Sequence, residues 1–405
     1  MAGSIRLDVA GHRQSARRRL AQHGQRREAM MIIMSWVVLL SLAIWVYLVL
    51  AHGRFWASAP ELPPAVPAQP PDVDIIVPAR DEAQTIGPVI ASLAAQSYAG
   101  KFHITLVDDN STDGTAAQAG TAANLTILSG QPKPPGWSGK LWALSQGIAA
   151  SRAPLLLFTD ADIVHDPRHL SALVAGLHRP EIGARVDMVS EMVRLNCTSF
   201  AEKALVPAFV YFFQMLYPFA RVNDPRSPVA AAAGGTVLIR REALDRIGGI
   251  GAIRNALIDD VTLAKAVKGS GRSSGAAVYL GHSGLAASIR PYPGWNDLWQ
   301  MVSRTAFTQL RYSALLLLLT LAGLTLVWLV PPWAILFGQG WVRMAGLATF
   351  LLAAASYLPT LGRYRCSPSW TLALPLIASF YMAATLGSAL NHWFGKGARW
   401  KNRAY

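Results

Sequence analysis

Four stretches of the chain are apolar over lengths that suit a membrane crossing, and short β-rich runs alternate with helical patterns between the first and the second. The first stretch, 31–50, holds about twenty residues, enough for one helical crossing at ~1.5 Å per residue. The other three, at 314–337, 342–361 and 371–390, close the chain. In the intervening region VDIIVP (73–78) precedes a helical pattern from Glu82, FHITLV (102–107) precedes one from Thr112, and LTIL (125–128) and LLLFTD (155–160) follow. That alternation predicts an α/β domain with a largely parallel sheet, whose ligands sit at the carboxyl ends of the strands.

The pattern divides the chain into a basic leader (1–30), a membrane anchor (31–52), a Pro-rich linker (53–72), the α/β domain (73–290), an interface helix (291–313), two or three C-terminal crossing helices (314–391) and a basic tail (392–405). The interface helix rests on Trp295, Leu298, Trp299, Val302 and Ala306 recurring at helical spacing, with Arg304 and Arg311 on other faces. A buried core helix would show the same spacing.

Composition supports membrane residence. Hydrophobic residues make up 52% and charged residues 15% of the 405, too apolar for an ordinary soluble chain. The net charge of +14 gathers at the termini and beside the apolar runs, which points to an anionic membrane surface; no motif for nucleic-acid binding is present. Cys197 and Cys366 are far apart in sequence, without zinc-binding spacing, and read as free thiols.

Three acidic motifs carry candidate chemistry. VDDNSTDGT (107–115) ends a strand in two carboxylates and supplies Asp108, Asp109 and Asp113 to one βα turn, where Asp109 or Asp113 can accept from a base or ribose; an acidic pair also caps a helix N-terminus well. FTDADIV (158–164) sets Asp160 and Asp162 two apart at a strand end, which suits a divalent ion, Mg²⁺ or Mn²⁺, bridging diphosphate oxygens; a solvated turn has the same pattern. LIDDVTLAKAV (257–267) opens a helix with Asp259 and Asp260, and a carboxylate there, Asp260 first, can take the proton of an attacking hydroxyl. Two acids at a helix start are also favoured by the dipole alone. Lys140, at a helix start within GWSGKLWALSQGI (136–148), can receive phosphate oxygens, although the segment is not a P-loop.

Taken in order, these motifs resemble a family 2 glycosyltransferase with a GT-A fold, over roughly 73–281. VPARDEAQTI (77–86) is similar to the family's opening strand and donor-site acid, VDDNSTDGT to its nucleotide motif, TDAD to its metal motif, AGGTVLIRREALDRIGG (233–249) to its acceptor-side segment and IDD to its base motif. The resemblance implies a nucleotide-sugar donor and inversion at the anomeric carbon. It puts Glu82 and Asp109 at the nucleoside, with Pro78, Arg80, Asp108 and Asp113 on the same donor side. Lys140 and Asp160 fall at the diphosphate, Asp160 and Asp162 on the metal, and Asp260 with Asp259 at the acceptor hydroxyl. Gly234, Gly235, His282, Gln300 and Arg304 fall on the acceptor side, although a lone histidine after a strand is more often structural. Gln300 and Arg304 are four apart and no Trp follows, unlike the Gln-x-x-Arg-Trp of polymer-forming members, so transfer of one sugar is expected.

The single leading apolar segment, WSGKLWAL, RTAFTQLRYS (304–313) and the apolar C-terminus look similar to the hopanoid-associated branch of the family, which implies a lipid acceptor in a bacterial plasma membrane. The alternatives are a polyprenyl-phosphate or carotenoid glycosyltransferase, and a transporter or scaffold that retains a retired domain. VPAFVYFFQMLYPFA (206–220) reads equally as a lipid groove or a core helix. Topology pulls two ways: a cytosolic donor places the α/β domain in the cytosol, while the arginines before the anchor and the basic tail favour that side too. A start at Met30, Met31 or Met34, or a shallow hairpin in place of the first crossing, would remove the first conflict.

Overall fold

The computed structural model describes residues 31–57, 60–271, 276–395, 399–400 and 403–404; the leader and much of the basic tail lie outside the described residues. Eight strands form one sheet: β1 (Val73–Ala79), β2 (Phe102–Asp108), β3 (Leu125–Ser129), β4 (Leu155–Thr159), β5 (Ile163–His165), β6 (Arg185–Arg194), β7 (Thr236–Arg240) and β8 (Ala276–Ser288). Their spatial order is β3-β2-β1-β4-β7-β6-β8-β5. The helices used below are α1 (Met31–Ala51), α2 (Ile86–Ala94), α3 (Gly139–Ala150), α4 (Phe200–Leu216), α5 (Asp259–Ser270), α6 (Trp295–Ser303), α7 (Ala314–Phe337), α8 (Gly340–Arg363) and α9 (Pro368–Trp393).

The first four strands in sequence, apart from their crossovers, behave as the alternation requires. β3, β2, β1 and β4 are mutually parallel, and β1 is buried on both faces, as a strand covered by helices on each side must be. The other half is mixed: β7 runs antiparallel to both β4 and β6, and β5 antiparallel to β8. Helix α3 lies on β1 at Gly147, where a Cβ would collide with Ile76, so the helix that carries Lys140 is held close to the sheet.

Two expected helices shift for local reasons. The pattern from Glu82 becomes helical only at Ile86, because Asp81 is in the left-handed region (φ 51°) and breaks the start. The one from Thr112 shrinks to Thr115–Gln118: Gly114 is also left-handed (φ 87°), and Asp113 turns back to accept from Thr115 N at 3.0 Å. The interface helix is likewise shorter than 291–313, ending at Ser303, with a separate turn at Ala306–Gln309.

The apolar stretch at 206–220 is a core helix. α4 begins with a reciprocal cap in which Ser199 Oγ accepts from Glu202 N at 3.1 Å and Glu202 accepts from Ser199 N at 2.8 Å. Its Tyr211 is fully buried, with its hydroxyl 2.6 Å from Ser356 Oγ on α8, and Leu205 O accepts from the Tyr381 hydroxyl of α9 at 2.8 Å. α4 therefore joins the α/β domain to the apolar helices.

α1, α7, α8 and α9 are long and apolar enough to cross a membrane. The pairing of α1 with α7 follows from Pro331, which has no N–H to offer Val327 O one turn back. Trp45 Nε1 donates to that carbonyl at 3.0 Å, and Ser41 Oγ donates to Leu326 O at 2.8 Å, where α7 widens into a π-turn at Thr325–Leu329. The Pro-rich linker is strapped down rather than free: Glu61 pairs with Arg363 and bridges to His282, and Leu62 is buried. Cys197 and Cys366, distant in sequence, meet with sulfurs 3.7 Å apart and remain free; burial pushes the Cys197 thiol up to about 12.

Candidate active site

At the carboxyl ends of β1 and β4, a cavity of about 370 Å³ is lined from six parts of the sequence. Pro78 and Glu82 come from the end of β1, Lys140 from α3, Asp160 and Asp162 from the turn after β4, and Asp259 from α5. Gln300, Met301 and Arg304 come from the interface helix and its end, and Arg290 and Tyr292 from the segment after β8.

Two cations tie the carboxylates together. Lys140 Nζ lies 2.8 Å from Asp160 Oδ1 and 3.2 Å from Asp259 Oδ2. Burial alone would lower the Lys140 pKa, but the two carboxylates outweigh it and hold the ammonium charged. Arg290 Nε lies 3.0 Å from Asp162 Oδ2, which also accepts from Ser288 Oγ at 2.9 Å, while the other arm of Arg290 pairs with Glu82. Asp160 is raised, by burial first and by Asp162 and Asp259 as like charges, against the pull of Lys140. The turn itself is held by Gly235, whose carbonyl accepts from Thr159 Oγ1 at 3.0 Å.

Other anticipated residues play different parts. Asp108, Asp109, Asp113 and Arg80 do not line the cavity; they stitch the loop after β2 to the loop after β1. Asp108 accepts from Ser111 N at 3.2 Å, Asp113 Oδ2 from Ala83 N at 2.9 Å, and Arg80 reaches the Asp109 carbonyl with its guanidinium 3.9 Å from Asp109 Oδ2. The nucleotide-motif acids thus shape the shelf from which Glu82 projects. Asp260 lies beside the cavity rather than on its wall: it borders a small void of about 20 Å³ with Gly234, and a Cβ at Gly234 would stand 3.3 Å from its Oδ2. Burial, then Asp259, raises Asp260 to about 7. Gly235 is confined by Val193, 2.9 Å from where its Cβ would be.

His282 is set apart from the cavity. It is 2% exposed, its Nε2 lies 3.2 Å from Gln214 Oε1 and its ring packs on Phe219, so its place is in the core under α4. Burial, then Arg363, lowers it to about 3. Sequence reasoning missed Arg290, Ser288 and Tyr292. No motif marks them, and the one signal was an arginine standing between an apolar strand and Pro291.

The residues fit a divalent ion. Five carboxylates (Glu82, Asp160, Asp162, Asp259, Asp297) face three cations (Lys140, Arg290, Arg304) around the cavity, a formal excess of two negative charges. Among the described residues no three His, Cys, Asp or Glu side chains form a cage for a metal. An ion bound here would therefore take one or two carboxylates and complete its shell from phosphate oxygens and water, the habit of Mg²⁺ and Mn²⁺ in nucleotide sites.

The family description "Glycosyl transferase family 2" matches residues 74–248. Those residues are a family 2 glycosyltransferase domain. The dodecaprenyl-phosphate galacturonate synthase of Rhizobium johnstonii is 30% identical over 125 residues, covering 29% of this chain and 35% of that one. The β-monoglucosyldiacylglycerol synthase of a Synechocystis species is 27% identical over 252 residues, 56% of this chain and 50% of that one. The chain thus spans between about a third and a half of these curated relatives. A mannosyltransferase from Pyrobaculum calidifontis, solved in complex with GDP-Man and Mn²⁺, superposes with a TM-score of 0.54 at 21% identity, covering 90% of this chain and 99% of the other. The fold is GT-A, flanked on both sides by apolar helices of crossing length.

Proposed function

We propose that the protein is an inverting glycosyltransferase that moves one sugar from a nucleoside-diphosphate sugar, a UDP-sugar first, to a membrane lipid. The observation that carries this reading is the cavity in which the TDAD turn, Lys140, Asp259 and the interface-helix residues Gln300 and Arg304 face one another. Glu82 and the shelf under it hold the nucleoside, and Lys140 with the N-terminus of α3 receives diphosphate oxygens. Asp160 and Asp162 would hold a divalent ion, which would supply charge neutralisation at the diphosphate. Of the two carboxylates that open α5, Asp259 stands on the cavity wall and Asp260 borders it at Gly234; this pair, Asp260 first, takes the proton of the acceptor hydroxyl as its oxygen attacks the anomeric carbon. One carboxylate suffices, because single displacement forms no glycosyl-enzyme intermediate.

The lipid acceptor is supported by the apolar helices around the domain and by the lipid products for which two relatives are named, a dodecaprenyl-phosphate galacturonate and a β-monoglucosyldiacylglycerol. A bacterial plasma membrane with the domain in the cytosol suits both the bacterial relatives and a soluble nucleotide-sugar supply. Purified protein incubated with UDP- and GDP-sugars and, in separate reactions, hopanoid alcohols, polyprenyl phosphates or diacylglycerols should give one lipid product with inverted anomeric configuration. EDTA should abolish turnover, and Asp162→Ala should lower it by a factor on the order of 10²–10³. Undiminished turnover in either case overturns the assigned metal role, and transfer to no lipid overturns the acceptor.

A further inference from the structure

α9 has the length and hydropathy of a fourth crossing helix, but its contacts place it elsewhere. α1 and α8 both run antiparallel to α7. Trp45 meets Val327 whereas Val38 clusters with Ala334 and Val342, and Gly346 lies so close to Ala334 that a Cβ would stand 2.6 Å from it. Met31, Phe337 and Gly340 therefore mark one end of a three-helix bundle, and Ala51, Ala314 and Arg363 the other. That second end belongs to the α/β domain: Ala51 O accepts from Arg221 at 2.9 Å, and Arg363 pairs with Glu61.

A fourth crossing would begin at Arg363's end and finish beside Phe337 and Gly340. α9 does begin there, with Trp370 5.2 Å from Phe200 in ring-centroid distance. Its middle then lies on α4 and α6, with Tyr381 on Phe212, Phe380 on Trp299, and Gly387 so close to Trp299 that a Cβ would stand 2.7 Å away. Its last turns return to the start of α7. Ser388 Oγ accepts from Phe307 N at 3.0 Å, His392 stacks on Tyr312 at 4.5 Å, and Ala389 clusters with Phe307 and Leu317. The twenty residues from Leu374 to Trp393 extend about 30 Å at ~1.5 Å each, and that length passes α4, α6 and the π-turn of α7 while both of its ends lie at the domain end of the bundle.

We infer that α9 does not cross the bilayer but lies along the leaflet on the domain side, with the lipid surface as its partner. The face turned to the protein is buried at Leu374, Ile377, Ala378, Ala384, Ser388 and Ala389. The outward face presents Leu372, Leu376, Leu386 and Leu390, which are 70%, 76%, 39% and 40% exposed, an apolar stripe that only acyl chains would cover. Among the described residues three helices then cross, and the chain leaves α9 at Trp393 on the side of the α/β domain. If that side is the cytosol, the tail satisfies the positive-inside rule, which a fourth crossing would violate.

The inference does not depend on the proposed reaction and can fail separately from it. Full-length chains carrying Asn402→Cys, Lys101→Cys or Gln339→Cys in a Cys197→Ser, Cys366→Ser background are treated with a membrane-impermeant maleimide in sealed and in permeabilised cells. Asn402→Cys should label in the same preparation as Lys101→Cys and opposite to Gln339→Cys. Labelling together with Gln339→Cys overturns the inference. An epitope appended after Tyr405 on the cysteine-intact chain repeats the reading without the serine background. Its digestion in sealed vesicles together with the exposed loop at Lys101 supports the flat helix, and protection while that loop is cut overturns it.

Discussion

Two clusters of ionisable side chains meet at opposite ends of the short strand β5, and they treat charge in different ways. Before it, around Asp160 and Asp162, Lys140 and Arg290 are each shared between carboxylates on the wall of an open cavity. After it, His165, His169, Glu191 and Ser283 are sealed, none more than 5% exposed. In the sealed cluster the donors run one way between Thr159 and His169. Thr159 donates to Gly235 O, so it accepts from His165 Nε2 at 3.0 Å; His165, kept neutral by burial, then accepts from His169 Nδ1 at 2.8 Å. His169 Nε2 and Glu191 share a proton across 2.7 Å, and Ser283 donates to the same carboxylate at 2.9 Å. One cluster is built to exchange partners and the other to keep them, yet both end on the Gly235 carbonyl that holds the TDAD turn.

The sharpest way to break this contrast is to remove the shared cation. Lys140→Met leaves Asp160 and Asp259 facing each other at the proposed diphosphate site, and kcat/KM should fall by a factor on the order of 10²–10³. Stability in detergent should change by no more than about 1 kcal/mol, because both carboxylates still reach water. A collapse in stability would show that the open cluster is structural after all.

Glu191→Leu tests the other side. It leaves His169 Nε2 and Ser283 Oγ without an acceptor in a sealed site, so unfolding by urea or heat should show a loss of about 3 kcal/mol. Turnover per folded molecule should stay within about a factor of two. A large loss of turnover with little loss of stability would move this cluster into the catalytic machinery.

The sequence made the open cluster legible and hid the sealed one, for a physical reason. Asp160, Asp162, Asp259 and Lys140 follow apolar strands or open helices, so their positions along the chain already place them at strand ends. Arg290, by contrast, reaches Glu82 and Asp162 only because β8 lies beside β5 at the sheet edge, a pairing between segments more than a hundred residues apart. The His165 relay depends on the same long-range geometry, and so does the flat course of α9, since length and hydropathy alone cannot tell a crossing helix from one lying along a leaflet. VDDNSTDGT was legible as a βα turn, but the sharing of its acids among backbone N–H groups depended on the neighbouring loop after β1.

Acid should separate the sealed histidines from the cavity more gently. His165 lies well below its ordinary 6.5, by burial first, and His282 is lowered to about 3. A histidine depressed in the folded state binds its proton only on unfolding, so its stabilising contribution is complete above about pH 6.5 and declines as pH falls towards the folded value. Each group steepens the decline by up to about 1.4 kcal/mol per pH unit. The thermal midpoint should therefore drop between pH 7 and pH 5, and His282→Gln should flatten the slope by one group's share. An unchanged slope would show that His282 is not held neutral.

The smallest effect belongs to the loop between the two motifs. Asn110 sits in the left-handed region at φ 56°, a conformation that Asn tolerates and Gly adopts freely, whereas a Cβ without a short polar side chain costs about 1–2 kcal/mol there. Asn110→Gly should leave stability within about 0.5 kcal/mol, and Asn110→Ala should lower it by about 1 kcal/mol. The pair of variants separates backbone strain from chemistry, because neither removes a side chain from the cavity wall. If both variants lose turnover equally while folding normally, Asn110 itself touches the donor, and the loop after β2 belongs with the open cluster rather than beneath it.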